Sequence, residues 1–184
     1  PMLVHTMVAG QSLDPERCII IAGHGADSVR DVVQNHNSDA EIILQTEQLG
    51  TGHAVDQARD ALAGFSGNVI VLYGDSPLIQ AETLKTLSAS LSHSAVTVLG
   101  FEAKDPGRYG RIITNDDNLK RIVEFKDASD AEKSMNLCNS GVMAVAAPLL
   151  FELLSEIDNE NASGEYYLTD IVAKAVAHGA VCKV

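Results

Sequence analysis

Two stretches of this chain combine residue types and spacing suited to chemistry. One is Gln45-Thr46-Glu47-Gln48-Leu49-Gly50-Thr51-Gly52-His53-Ala54, and the other is the apolar run 69–73 that ends in Gly74-Asp75-Ser76-Pro77. Each sits where a strand delivers the backbone to a ligand. In the first, two glycines flank a hydroxyl at the mouth of a predicted helix, where main-chain N–H groups can close on an anion in the positive field of the helix start. Gln45 and Gln48 add amide donors and acceptors suited to a base or sugar edge, whereas His53 reads as a helix-surface or packing residue. In the second, Asp75 follows apolar strand residues. Its carboxylate must therefore be solvated in a cleft, cap the turn of Ser76-Pro77 or hold a cation. Together they point to a phosphate-bearing substrate and a divalent cation.

Further along, Gly107-Arg108-Tyr109-Gly110-Arg111 reads either as a turn or as a flexible contact to sugar and phosphate. Glu124 interrupts a half-apolar strand, as an inward acceptor for sugar hydroxyls or as part of a solvated face. Asn139-Ser140-Gly141 precedes a core strand, and 164–170, with Glu165, Tyr167, Thr169 and Asp170, precedes the last helix. Each of these could be no more than a cap.

The elements that must position these residues are legible as alternating patterns. Runs 18–22, 41–45, 69–73 and 95–101 read as short buried strands. Helical spacing over 27–36, 51–63 and 82–91 lies between them, and strand alternating with helix predicts a layered α/β domain with a parallel sheet. Residues 111–114 and 119–125 flank the turn Asn115-Asp116-Asp117-Asn118, predicting a hairpin insert. A core strand over 141–146 and helices over 148–157 and 168–178 complete the pattern. Residues 1–8 read as the middle of an amphipathic helix and 180–184 as the opening of a strand, so both ends are expected to be cut.

Bulk properties narrow the function. At 184 residues, 46% hydrophobic and 21% charged, the chain fits one globular domain. A formal net charge of −12 excludes a general nucleic-acid binder, which needs a basic surface. There is no apolar run near the ~20 residues needed to cross a bilayer and no signal-peptide pattern, so no membrane partner and a cytoplasmic location are expected. Cys18, Cys138 and Cys182 are widely spaced and odd in number, which indicates three buried thiols rather than a disulfide framework or zinc site.

Taken in order, the blocks 45–54, Tyr73-Gly74-Asp75-Ser76-Pro77-Leu78, Tyr109-Gly110-Arg111-Ile112, Ile122-Val123-Glu124-Phe125-Lys126-Asp127, Asn139-Ser140-Gly141 and 164–171 resemble the uridylyltransferase domain of bacterial bifunctional N-acetylglucosamine-1-phosphate uridylyltransferase/glucosamine-1-phosphate acetyltransferases. The resemblance spans essentially the whole chain. It implies a Rossmann-like, three-layer nucleotide-diphospho-sugar transferase fold, mostly parallel with the hairpin insert. It implies UTP and N-acetylglucosamine 1-phosphate as substrates, UDP-N-acetylglucosamine and pyrophosphate as products, and Mg²⁺ as cofactor. By the same resemblance Gln45, Gly50 and Thr51 are uracil contacts, and Tyr73, Gly74 and Asp75 reach ribose and metal. Asp75 is thereby the catalytic metal ligand, Gly110, Glu124 and Asn139 contact the amino sugar, and Tyr167 and Thr169 stand behind them. The family's Gly-rich opening loop with its Arg and Lys, its second metal-ligating Asn and its left-handed β-helix have no counterpart in these residues, and Ser140 stands where Thr is common. The expectation is an incomplete nucleotidyltransferase domain over 1–184, weak or inactive alone, from a homotrimeric cell-wall enzyme. Another sugar-1-phosphate nucleotidyltransferase and a non-catalytic nucleotide-sugar binding module are the alternatives.

Overall fold

The computed structural model describes residues 1–116 and 118–184; Asp117, in the turn read between the two hairpin strands, lies outside the described residues. The elements run α1 (Met2–Gln11), β1 (Ile19–Ala22), α2 (Ala26–His36), β2 (Glu41–Leu44), α3 (Thr51–Asp56), β3 (Asn68–Val71), α4 (Ala81–Ser90) and β4 (Val96–Glu102). After the hairpin β5 (Arg111–Asn115) and β6 (Asn118–Val123) come α5 (Asp130–Lys133), β7 (Leu137–Ala146), α6 (Ala147–Leu154), α7 (Asp170–Ala177) and β8 (Cys182–Lys183). The expected strand-helix alternation is present. Differences lie in boundaries: α3 is short, because past Asp56 the backbone tightens into successive turns such as Gln57 N–H to Ala54 O and Ala58 N–H to Val55 O. The core strand expected over 141–146 begins at Leu137 instead, so Asn139 lies within β7 rather than before it.

β1 pairs parallel with β2 as one unit, and the larger sheet is organised by β7. The latter runs antiparallel to β3, β4 and β5, while β8 pairs parallel with β4. In strand direction β3, β4, β5 and β8 therefore agree, with β7 and β6 reversed: most strands of the layer run one way, although β4–β8 is its only parallel pair among the described residues. The hairpin insert is β5–β6, in register from Arg111 opposite Val123.

Alternation along β7 makes the layers, since successive side chains of a strand point to opposite faces. Val142 and Ala144 pack with Ala9 of α1 and Leu84 and Leu87 of α4. Met143 and Val145 face Leu150, Leu153, Leu154, Ile171, Val172 and Ala175 of α6 and α7. Helices on both faces of one sheet give the three-layer α/β architecture. Cys138 and Cys182 are buried free thiols as expected, but Cys18 is only half-buried. Among the described residues, no helix is long and apolar enough to cross a membrane.

Candidate functional site

β7 has two partners along the same edge. Its start pairs with β5 through Cys138 and Arg111, and its end pairs with β3 from Met143 to Ala146. Between them lie Asn139, Ser140 and Gly141, which pair with neither. On the other side a bulge in β4 between Val98 and Gly100 shifts the register, and Ser140 Oγ donates to Leu99 O at 2.7 Å. Asn139 Oδ1 accepts from Gly141 N–H at 2.9 Å, and Gly141 has φ +87°, a left-handed conformation that suits glycine. A β-carbon there would lie 2.6 Å from the Tyr73 ring, so the glycine also makes room for that tyrosine.

A cavity of about 430 Å³ opens over this break. From the carboxyl end of β3 come Tyr73, Asp75 and Ser76; from the loop before β5 come Arg108, Tyr109 and Gly110. Glu124 follows β6, Asn139 belongs to β7, Thr51 opens α3, and Glu165 and Tyr167 come from the segment before α7. Of the residues singled out in the sequence, Thr51, Tyr73, Asp75, Gly110, Glu124 and Asn139 thus share one cavity. Gln45, Gly50 and Gly74 are not among its lining residues.

Gln45 and Gly50 serve the adjoining loop. Gln45 Nε2 donates to Gly50 O at 3.1 Å and lies 3.0 Å from His53 Nδ1. Gly52 N–H donates to Tyr166 O, Tyr166 N–H to Leu49 O, and Leu168 N–H to Thr51 Oγ1. The glycines there are needed for packing against 165–168, and the Gly52 N–H read as an anion contact already has an acceptor.

Asp75 is exposed, and among the described residues its carboxylate accepts no hydrogen bond. The turn-capping alternative therefore has no counterpart, and a hard oxygen donor is left open to the cavity. Glu124 is half-buried; burial pushes its carboxyl above the ordinary range and Asp127 adds to this, against the Thr169 hydroxyl, which donates to Oε1 at 3.0 Å. Burial likewise raises the Tyr73 phenol, with Glu124 and Asp75 adding to it and Thr51 opposing. Asp170, at the start of α7, is pushed up to about 6 by burial, then by the Asp158 and Glu124 charges. Gly110 is held close to this acid: a β-carbon at 110 would lie 3.4 Å from both Glu124 carboxylate oxygens. Among the described residues, Glu152, Glu156 and His178 form a surface cluster of potential metal ligands, none of which lines the cavity.

Sequence reasoning passed over two features. Ser140, Gly141, Glu165 and Tyr167 were seen only as caps or supports, yet they line the cavity, as do Arg108 and Tyr109, whose loop was read either as a turn or as a contact to sugar and phosphate. Arg111, read as one of two loop cations, is 1% exposed.

A three-layer α/β domain whose cleft opens at the carboxyl end of β3, over a break in the sheet, with amides, a free carboxylate and glycines, has the form of a small-molecule site. The chain belongs to the nucleotidyl transferase family, whose model matches residues 1–183. It is 55% identical over 179 residues to the bifunctional protein GlmU of Ruegeria sp. (strain TM1040), covering 97% of this chain and 40% of that protein. The GlmU of Paracoccus denitrificans (strain Pd 1222) is 54% identical over 181 residues, with the same coverage. The chain thus spans about 40% of the length of these relatives. Among solved structures, UDP-glucose pyrophosphorylase complexed with UDP-glucose matches all of this chain and 78% of its own, with TM-score 0.77 at 18% identity. HddC from Yersinia pseudotuberculosis complexed with GMP-PN matches all of this chain and 75% of its own, with TM-score 0.65 at 22% identity. Both share the fold.

Proposed function

We propose that this chain is the uridylyl-transferring part of an N-acetylglucosamine-1-phosphate uridylyltransferase, joining UTP to the sugar phosphate and releasing pyrophosphate. The observation that carries the reading is convergence: residues from blocks as distant as Thr51, Tyr73, Gly110, Glu124 and Asn139 line one cavity beside the free carboxylate of Asp75. The relatives at 55% and 54% identity support it.

Each side chain then has a task. Glu124 Oε1 is held by Thr169, which leaves Oε2 to accept from a sugar hydroxyl. Asn139 Oδ1 is held by the Gly141 N–H, which leaves its amide hydrogens to donate to the sugar's acetyl carbonyl. Gly110 keeps the wall beside Glu124 flat, and the Tyr73 ring, seated on Gly141, floors the cavity. Gln45, Gly50 and Thr51 shape the adjoining loop, where the uracil fits.

The residues fit a magnesium ion. Mg²⁺ prefers hard oxygen ligands and is commonly held by one or two carboxylates plus substrate phosphates, and Asp75 offers such a carboxylate in the cavity. When bound, Mg²⁺ neutralises phosphate charge during in-line displacement. No nucleophile is asked of the protein, because the sugar phosphate attacks; positioning is the enzyme's main contribution. In the whole protein this reading goes with a cytoplasmic homotrimer supplying a precursor of peptidoglycan and lipopolysaccharide.

Calorimetric titration tests the proposal. UDP-N-acetylglucosamine should bind more tightly than UDP-glucose or GDP-mannose, and more tightly with Mg²⁺ than in EDTA. Asp75→Asn should remove the Mg²⁺ dependence. Equal affinity for the three nucleotide sugars, or Mg²⁺ dependence that survives in Asp75→Asn, would refute the assignment.

A further inference from the structure

Arg111 is the largest of the fully buried side chains, yet it carries a charge. Its guanidinium donates to the carbonyls of Tyr109, Gly107 (3.0 Å) and Lys133 (3.1 Å). The ring of Phe125 lies 5.9 Å from its centre, and its Nε is buried with no partner. Among the described residues no carboxylate forms an ion pair with it. A lone charge is costly to bury, so an arrangement that relies on carbonyl dipoles and a ring must be closely built.

Its location indicates what is built around it. Arg111 follows Gly110 in sequence. Its partner across β5–β6 is Val123, followed by Glu124, and its partner across β5–β7 is Cys138, followed by Asn139. The three residues expected to contact the sugar are thus each one residue from Arg111 or from one of its two cross-strand partners. Asn139 N–H donates to Gly110 O at 2.9 Å, joining two of them directly. Meanwhile the guanidinium grips the 107–110 loop at two carbonyls and ties it to the end of α5 at Lys133.

We infer that Arg111 is a positioning residue: it holds the 107–110 loop so that Gly110, Glu124 and Asn139 keep one fixed arrangement at the sugar end of the cavity. That this end takes a sugar rests on the function proposed above; the holding of the loop does not. Lysine cannot substitute, because one ammonium lacks the planar fork that reaches three carbonyls at once.

The test uses the full chain carrying Arg111→Lys or Arg111→Met. Amide hydrogen exchange reads the loop directly, and titrations with UDP-N-acetylglucosamine and with UMP, which has no sugar, read the consequence. Loss of this hydrogen bonding should speed exchange of the Asn139 amide about tenfold and weaken UDP-N-acetylglucosamine about tenfold. Exchange at Met143 and Val145 and the affinity for UMP should stay at wild-type values. Equal acceleration at Met143 and Val145, a parallel loss of UMP affinity, unchanged Asn139 exchange, or failure of both variants to fold would overturn the inference in favour of a general structural role. If the unmodified chain binds no nucleotide sugar, the proposed function fails, and Asn139 exchange alone decides the role of Arg111.

Discussion

Gly50 has φ +117°, and a β-carbon there would lie 2.6 Å from Tyr166 O and 2.8 Å from Tyr166 N. Both the backbone conformation and the space exclude a side chain, so Gly50→Ala is expected to lower stability by about 2 kcal/mol or more, read as a shift in denaturant midpoint. An unchanged midpoint would mean that the loop relaxes freely away from 165–168. The glycines were legible in the sequence as a strand-to-helix turn, but what they pack against was not, because Tyr166 lies more than a hundred residues away. Asp170 offers a second test at this scale. Its folded pKa is raised to about 6 from 3.8, first by burial and then by the Asp158 and Glu124 charges. A raised carboxyl means that the native state holds a proton the unfolded chain has released, so this group's contribution to stability falls as pH climbs from about 3.8 to about 6. Asp170→Asn should therefore stabilise the protein at pH 7 by about 1 kcal/mol after allowance for solvent screening, and the gain should fade below about pH 4. A thermal melt series across that range checks it; a gain independent of pH would assign the effect to packing.

Short elements show where local signals were sufficient and where they were not. Ser129 caps α5: its hydroxyl accepts from Glu132 N–H, while the Glu132 side chain accepts from Ser129 N–H. This reciprocal box is written in Ser129-Asp130-Ala131-Glu132, a readable helix start that was passed over because the helix is only 4 residues long. Ser129→Ala is expected to cost about 1 kcal/mol, measurable by chemical denaturation, with the cavity unaffected. Loss of nucleotide-sugar binding in that variant would instead show that this cap at the start of α5 also fixes the Lys133 carbonyl that Arg111 holds at its end. The strands, the hairpin and α2 and α4 were legible within a few residues because their apolar periodicity is local. The early start of β7 was not, because Leu137 to Gly141 includes polar residues and a glycine whose place in the sheet is set by pairing to β4 and β5. Here tertiary pairing outweighs local propensity, and the same break in local regularity forms the cavity.

Across the whole molecule, the formal net charge of −12 opposes any anionic ligand. The cavity repeats this imbalance, with Asp75, Glu124 and Glu165 against Arg108. In the absence of a divalent ion, repulsion should dominate the electrostatics of binding a nucleotide sugar. Raising ionic strength from ~10 to ~100 mM shortens the screening length from about 30 to about 10 Å, so UDP-N-acetylglucosamine in EDTA should bind more tightly, by about twofold or threefold, as salt is added. Most anion sites behave in the opposite way, because salt screens attraction to their cations. Mg²⁺ held at Asp75 should reverse the local sign, giving binding that weakens with salt. The same residue then has opposite effects under the two conditions: Asp75→Asn should weaken binding in Mg²⁺, where a ligand is lost, and strengthen it in EDTA, where a repelling charge is removed. Titrations of both proteins at two salt concentrations, with and without the metal, measure every term. Weaker binding by Asp75→Asn in EDTA would show that its carboxylate acts on the ligand directly, rather than through a cation.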